Sequence, residues 1–119
     1  MATARFSATG QNALLEGGLK AAATKVNLHT ADPLTTGASE GTTTKQAITW
    51  NTASAGTISN AASVSFASAP AATYTHVGLY NAANAYLCGT ALTEPEVVTT
   101  PRTLTIAAAA IVPDVSEIV

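Results

Sequence analysis

Three polar residues near the start of the chain, His29, Asp32 and Glu40, are close enough in sequence to raise the question of a metal site. Zinc sites use sets of His and Cys at fixed spacings, and hard cations need several oxygen ligands. The sequence contains neither pattern, and an Asp before a proline, as in Asp32-Pro33, typically caps a turn. We therefore predict no metal and no other cofactor.

The sequence evidence for a set of catalytic residues is equally weak. Ser, His and Asp are all present, but nothing in their spacing selects a nucleophile with its base and orienting carboxylate. The carboxylate pair that glycoside hydrolysis would need is Glu94 and Glu96, which flank Pro95 in what we interpret as an exposed charged turn. His76 lies within a predicted strand and is interpreted as a hydrogen-bonded histidine on a sheet face. We predict that the protein is not an enzyme.

The composition excludes two classes of partner. A chain of 119 residues is long enough for one domain with its own core. Its net charge of −2 and its five scattered Lys and Arg residues argue against nucleic acid, because phosphate binding needs clustered cations. No apolar run approaches the ~18–20 residues of a membrane-spanning helix. Cys88 is the only cysteine, so no disulfide can form within the chain.

The low charge content points to a surface that contacts protein. Only 10% of the residues are Asp, Glu, Lys or Arg, against about 25% in average soluble domains. Sheet edges are normally protected by charged side chains, which this chain largely lacks. We expect part of the surface to be covered by other subunits. The alternative is a soluble monomer with an unusually neutral surface.

The N-terminal part of the sequence predicts an arm and a short helix. Residues 1–8 are interpreted as an extended arm with Phe6 as its apolar anchor. Thr9 is the predicted N-cap of a helix over residues 10–19, which Gly17-Gly18 weakens; an earlier end at these glycines is the alternative. The partial apolar stripe of this helix, which includes Leu14, would cover one end of a sheet or meet a neighbouring subunit.

The rest of the chain predicts short strands separated by turns. Val26 and Leu28 alternate with polar residues, as in a strand with one buried face. The Thr- and Gly-rich residues 32–44 predict a loop that is exposed or at an interface and is not a catalytic lid. Further strands are predicted over residues 48–50, 57–59, 63–67 (ended by Pro70), 73–80, 85–92, 97–98 and 103–112, with 73–80 and 85–92 forming a hairpin. This pattern indicates an all-β fold, an antiparallel β-sandwich or jelly roll, with one short N-terminal helix and extended termini.

The alternation of side chains along each predicted strand assigns the aromatic residues to one or the other face of the sheet. Tyr74 and Tyr80 share a face that is opposite Val77 and Leu79, so we expect one of the two faces to be less buried. Trp50 follows the parity of the apolar Ile48 and is therefore predicted to lie in the core.

Three segments are predicted in all: the arm (1–8), a single domain (9–112) and a C-terminal tail (113–119). The tail carries Val115 and Ile118 and is apolar enough to pair onto a sheet edge. Because they lie on the arm, the helix, the loop, the aromatic face or the tail, the candidate interface residues are Phe6, Leu14, Asp32, Glu40, Tyr80, Val115 and Ile118.

Several short motifs occur together and in order: LHTADP (28–33), TGASE (36–40), ITWN (48–51), ISNAASVSF (58–66) and PAATYTHVGLYNA (70–82). With the ending TLTIAAAAIV (103–112), this set resembles a family of small virion proteins of tailed bacteriophages, described as tail-fibre, minor tail or head decoration proteins. The resemblance covers residues 10–112 and implies a non-enzymatic structural component of a phage particle.

Within that resemblance, the small size and low charge favour a capsid decoration protein. Such a protein would bind the major capsid protein on the outside of the head as a small homo-oligomer, for example a trimer, and stabilise the head. The alternative is a minor tail or tail-fibre protein that binds the host surface, with host glycans as its ligands. No nucleic acid and no membrane is expected as a partner in either case, and the location is the virion.

Overall fold

The computed structural model describes residues 7–34 and 36–113 of the chain. The described part begins with helix α1 (Ala8–Leu14), a π-helical turn (Leu15–Leu19) and helix α2 (Lys20–Ala22). The six strands are β1 (Lys25–His29), β2 (Gln46–Ala47), β3 (Val64–Ala69), β4 (Ala72–Tyr80), β5 (Tyr86–Val98) and β6 (Arg102–Ile106).

The helical segment starts and ends elsewhere than predicted. Ser7, with extended backbone dihedrals, is the N-cap, and its Oγ accepts a hydrogen bond from the amide of Gly10 at 3.1 Å. The predicted cap, Thr9, already lies inside α1. The segment also continues through Gly17-Gly18, as a π-helical turn in which Leu15 is buried at 0% exposure.

Four strands form one antiparallel sheet in the order β2-β1-β4-β5, and β3 and β6 form a second antiparallel pair. One hydrophobic core joins the two sheets and the helical segment. It includes Leu15, Val26, Leu28, Trp50, Ile58, Phe66, Val77, Leu79, Leu104, Ile106 and Ile111. The fold is therefore all-β and sandwich-like with one short N-terminal helix, which confirms the predicted class.

The predicted hairpin is confirmed, and its second strand is longer than expected. β4 and β5 are joined by the turn at residues 81–85, and β5 runs on through Glu94-Pro95-Glu96, where a separate charged turn was predicted. The proline is accommodated by a bulge: Tyr74 pairs with Glu96 and His76 with Ala91, so four residues of β5 lie opposite one residue of β4.

The last strand is shorter than predicted. β6 ends at Ile106, and the alanines after it form a turn in which Ala109 has a φ of 64°. The buried side chain of Asn60 holds this turn: its Nδ2 donates to the carbonyl of Ala107 at 3.0 Å, and its Oδ1 accepts from the amide of Ile111 at 2.9 Å. Alanine is depleted in strands, so the local sequence favours a longer β6 only weakly. The hydrogen bonds of Asn60 therefore decide that the chain turns here. Residues 48–50 and 57–59, also predicted as strands, form no strand: only Trp50 and Thr57 make isolated bridges, to Asn60 and Ser54.

Candidate functional site

The four-stranded sheet has a second buried face, opposite the core. We call it the loop face, because residues 30–34 and 36–45, the covering loop, lie over it. Side chains on this face come from three strands: Asn27 and His29 of β1, Tyr74 and Tyr80 of β4, and Tyr86 of β5. Asn27 is 1% exposed and His29 0%, so the prediction of a single buried face for β1 is wrong.

Backbone hydrogen bonds hold the covering loop against β1. The amide of Gly41 donates to the carbonyl of Leu28 at 2.8 Å, and the amide of Thr30 donates to the carbonyl of Ser39 at 3.1 Å. Asp32 caps the turn, because its Oδ1 accepts from the amide of Leu34 at 2.9 Å; this confirms its predicted role. The loop is therefore an ordered hairpin-like cover whose outer side chains are exposed.

A polar cluster fastens the middle of the loop to the sheet. Asn27 Nδ2 donates to Glu40 Oε2 at 2.6 Å and to the carbonyl of Thr43 at 2.9 Å, while the Thr43 hydroxyl donates to Asn27 Oδ1. Lys45 Nζ lies 2.8 Å from the same Glu40 oxygen. The buried side-chain amide of Asn27 thus binds the loop at Glu40 and at Thr43. Lys45 neutralises the Glu40 carboxylate.

His29 makes a second connection between sheet and loop. Its Nδ1 lies 2.8 Å from the carbonyl of Ala38, and its Nε2 lies 2.9 Å from the hydroxyl of Tyr80. A carbonyl oxygen can only accept, so Nδ1 carries the proton, and in a neutral ring Nε2 accepts from Tyr80. The Tyr80 ring also meets Tyr86 edge-on, with centroids 5.7 Å apart, and has Lys45 Nζ 4.4 Å from its centroid.

This environment shifts the acid–base properties of two members of the cluster. Burial acts to raise the pKa of the Glu40 carboxyl, but hydrogen bonds from Lys45 and Asn27 outweigh it and hold that pKa below its ordinary value. Burial, together with the nearby Glu40 charge, raises the pKa of the Tyr80 hydroxyl. Glu40 is therefore held as a carboxylate and Tyr80 as a neutral phenol.

The residues of this polar cluster bind one another and so hold the covering loop on the sheet. Both ring nitrogens of His29 are engaged, the Asp32 carboxylate caps a turn, and Glu40 is bound to Asn27 and Lys45, so these three residues do not converge on one point. Within residues 7–34 and 36–113, no group of three or more His, Cys, Asp or Glu residues is placed to hold a metal ion. No buried side-chain nitrogen or oxygen in the same residues lacks a hydrogen-bond partner.

The other chemical candidates also have structural roles. His76 lies on the sheet with its Nδ1 2.8 Å from the Thr75 hydroxyl, which confirms the prediction for that residue. Trp50 is 8% exposed and donates from Nε1 to the carbonyl of Ala23 at 2.8 Å, so it belongs to the core as predicted. Burial raises the pKa of the Cys88 thiol, which disfavours the reactive thiolate.

The comparison with known proteins identifies the family. A family model described as podophage GP4 fiber I protein gp80 matches residues 5–113, nearly the whole chain. The chain belongs to this family. No curated protein and no solved structure matches it.

Family membership makes the chain a structural protein of a phage virion, in agreement with the resemblance of its motifs to phage virion proteins. It favours the tail-fibre alternative over capsid decoration. Fibre proteins of this kind are typically non-enzymatic. No helix in the part of the chain that the structure describes is both long and apolar enough to cross a membrane.

The predicted interface residues fall into three groups. Leu14, on the helical segment, is 38% exposed, and Asp32 and Glu40 lie on the covering loop with exposed or partly exposed side chains. Tyr80 is only 3% exposed, because the covering loop lies over it, so the expectation of a less buried face is wrong at this position. Phe6, Val115 and Ile118 lie outside the described residues. The interface roles of all seven remain predictions.

Sequence reasoning missed Asn27, Thr43 and Lys45 as members of the cluster. The sequence does contain a signal for such a cluster, because β1 and β2 are separated by a long polar loop. A loop of that length, if ordered, must pack on another part of the protein. A polar residue between two apolar strand positions, as Asn27 is, then becomes the natural binding point for it.

Proposed function

We propose that this protein is a subunit of a podophage tail fibre and that it contributes a rigid, non-enzymatic β-sandwich to that fibre. The observation that carries the proposal is the family match over residues 5–113. The low charge content supports it, since a fibre subunit must bury much of its surface against neighbouring chains.

The outer side of the covering loop is the surface we propose for contact with the host. Thr36, Ser39, Thr42 and Thr44 are exposed there, and short hydroxyl side chains suit hydrogen bonding to glycans. The anchoring cluster beneath keeps this surface ordered before contact, which lowers the entropy cost of binding. Tyr74 and Tyr80, the two aromatic residues that share a face of β4, are 1% and 3% exposed and lie beneath the loop, so they are not available for glycans.

Quantitative mass spectrometry of heads and tails separated on a gradient tests the proposal. We expect the protein to travel with tails at a low copy number per particle. A high copy number on purified heads would overturn the fibre assignment and establish the capsid decoration function, with the major capsid protein as partner.

Binding of the purified protein to host cells or a glycan array tests the loop. Thr42→Lys, which places a long charged side chain on the exposed loop, should reduce binding. Thr99→Lys is the matched control, because Thr99 is also exposed but lies in the turn between β5 and β6. Equal binding by both variants and the unmodified protein would contradict the role of the loop.

A further inference from the structure

An amine, a carboxylate and a carboxamide meet at one atom beneath the covering loop. Oε2 of Glu40 lies 2.8 Å from Nζ of Lys45 and 2.6 Å from Nδ2 of Asn27. The amine is a nucleophile, the carboxamide carbon is an electrophile, and the carboxylate between them can carry a proton from one nitrogen to the other. These are the groups that the formation of an amide bond between two side chains requires.

The oxygen of the same carboxamide is held by two hydrogen-bond donors. Oδ1 of Asn27 accepts from the backbone amide of Leu28 at 3.0 Å and from the hydroxyl of Thr43. A nucleophile that attacks Cγ of Asn27 drives negative charge onto this oxygen. Donors already fixed at the atom where charge develops stabilise the tetrahedral intermediate, so the site has an oxyanion hole as well as a proton carrier.

Burial limits which nucleophile reaches Asn27. The residue is 1% exposed, which keeps bulk water away from its carboxamide. The side chain of Lys45 is 25% exposed and enters the site from the end of the covering loop, with Nζ 4.4 Å from the centroid of the Tyr80 ring. The amine therefore lies between an aromatic face and the Glu40 carboxylate. A site that excludes water favours attack by the lysine over hydrolysis.

We propose that Lys45 and Asn27 react to form an isopeptide bond, with Glu40 as the acid–base catalyst and with release of one ammonium ion. The bond joins β1 to the end of the covering loop and fixes the loop covalently on the sheet. It goes beyond the proposed function and holds whether the protein is located on heads or on tails. The reaction occurs once, within one chain, and involves no separate substrate.

The reaction balances without a cofactor or an oxidant. The Lys45 ammonium gives one proton to Glu40, and the freed lone pair attacks Cγ of Asn27 while the electron pair of the C=O bond moves to Oδ1. Nζ loses a second proton, the C=O bond re-forms, and the Cγ–Nδ2 bond breaks as Glu40 returns its proton to Nδ2. The ammonia that leaves takes up the second proton. One ammonium group and one carboxamide thus become a secondary amide and an ammonium ion.

A second Lys–Asn pair in the same protein serves as an internal control. Nζ of Lys25 lies 2.9 Å from Oδ1 of Asn84, but Asn84 is exposed. No ion pair within residues 7–34 and 36–113 involves Lys25. This pair has the proximity of the first but neither its carboxylate nor its burial, so it should not react.

Mass spectrometry of freshly refolded protein, incubated at neutral pH, tests the proposal. We expect the mass of the intact chain to fall by the mass of one ammonia. Trypsin should then cut after Lys25 but no longer after Lys45, because an acylated lysine is not a cleavage site, and residues 26–102 should remain as one fragment. Loss of ammonia with normal cleavage after Lys45 would overturn the proposal, since Asn27 would then have cyclised onto its own backbone.

Three variants assign the roles in the reaction. Lys45→Arg keeps the positive charge and should lose no ammonia. Glu40→Gln keeps a hydrogen-bonding side chain without the base, and the reaction should slow by at least about a hundredfold. Lys25→Arg is the matched control and should react at the rate of the unmodified protein. A cooperative melt establishes that each variant is folded. An unchanged mass of the folded, unmodified protein after prolonged incubation, or an unchanged rate in Glu40→Gln, would refute the proposal.

The melting temperature gives a second readout. Freshly folded protein holds only the noncovalent contacts between Asn27, Glu40 and Lys45, whereas the reacted chain contains a closed covalent loop over residues 27–45. By analogy with a disulfide that closes a loop of this length, the melting temperature should rise by about 10 °C as the mass falls. Lys45→Arg should show no such rise over the same incubation. A mass change without a rise would contradict the proposed fixing of the loop.

Discussion

Gly78 of β4 lies directly opposite Gly89 of β5, and together the two glycines make room for the residues that hold the covering loop on the sheet. A Cβ atom on Gly78 would overlap Nε2 of His29, and a Cβ on Gly89 would overlap the ring of Pro33. One histidine from the sheet and one proline from the loop therefore pack against bare backbone. At these two positions the loop face leaves no room for a further methyl group.

The first prediction concerns Gly78. Gly78→Ala should lower the free energy of unfolding by about 1–3 kcal/mol, because the added methyl must displace the His29 ring and break its bond to Tyr80. Gly17→Ala is the control, since a Cβ there meets nothing within 4 Å. It lies in the helical segment and should stabilise the protein by up to about 1 kcal/mol. Urea unfolding measures both, and equal effects would contradict this account of Gly78.

The second prediction concerns the pH dependence of stability. The pKa of Glu40 is lowered in the folded protein, so its stabilising contribution is present above the ordinary carboxyl pKa of 4.5 and is lost as the pH falls below it. Glu40→Gln should remove this part of the pH dependence and cost about 1 kcal/mol or less at neutral pH, because the carboxylate is partly exposed.

Thermal melts between pH 3 and 7 measure this effect. Asp32→Asn is the control for a neutral amide on the covering loop, because its side-chain oxygen can still accept from the amide of Leu34. If the stability of Glu40→Gln depends on pH in the same way as that of the unmodified protein, the Glu40 carboxylate does not make the contacts described above.

The third prediction concerns Asn60. Asn60→Ala should destabilise the protein by about 2–3 kcal/mol, because it leaves the amide of Ile111 and the carbonyl of Ala107 without their buried partner. Asn51→Ala, at an exposed asparagine nearby, should change stability by no more than about 0.5 kcal/mol. Chemical unfolding followed by circular dichroism compares the two. Similar values would refute the role given to Asn60 in ending β6.

The fourth prediction concerns the start of the helical segment. Ser7→Ala should cost about 1 kcal/mol, because the amide of Gly10 loses its cap. Thr9→Ala should leave stability nearly unchanged or raise it slightly, since Thr9 lies within α1 and alanine is the better helix former. The opposite order in thermal melts would show that Thr9 is the cap after all.

Local patterns predicted those features that depend on neighbours in sequence. The alternation of Val64 and Phe66 with small polar residues predicted β3, and Pro70 predicted its end. The hairpin of β4 and β5 followed from its β-branched and aromatic residues and the polar turn between them. The Asp32 turn was predicted correctly for the same reason, because the hydrogen bond that defines it spans two residues.

Features that depend on distant partners were predicted wrongly or missed. Thr103–Val112 has the pattern of one long strand, but Asn60, some fifty residues earlier, turns the chain after Ile106. Glu94-Pro95-Glu96 has the composition of a turn, yet pairing with β4 on both sides of the bulge keeps it in β5. Buried hydrogen bonds in the first case and strand pairing in the second outweigh a local preference worth less than about 1 kcal/mol per residue.

The sequence by itself determined the all-β class, the short helix, most strand positions, the neutral surface and, through its motifs, the phage family. These depend on periodicity, composition and local turn chemistry. Only the tertiary structure decided that the loop closes over the second face of the sheet. That step requires Asn27 to meet Thr43, His29 to meet Tyr80, and Gly78 to lie beside His29. Such contacts join positions far apart along the chain, and they exist only when the backbone brings both partners to the same place.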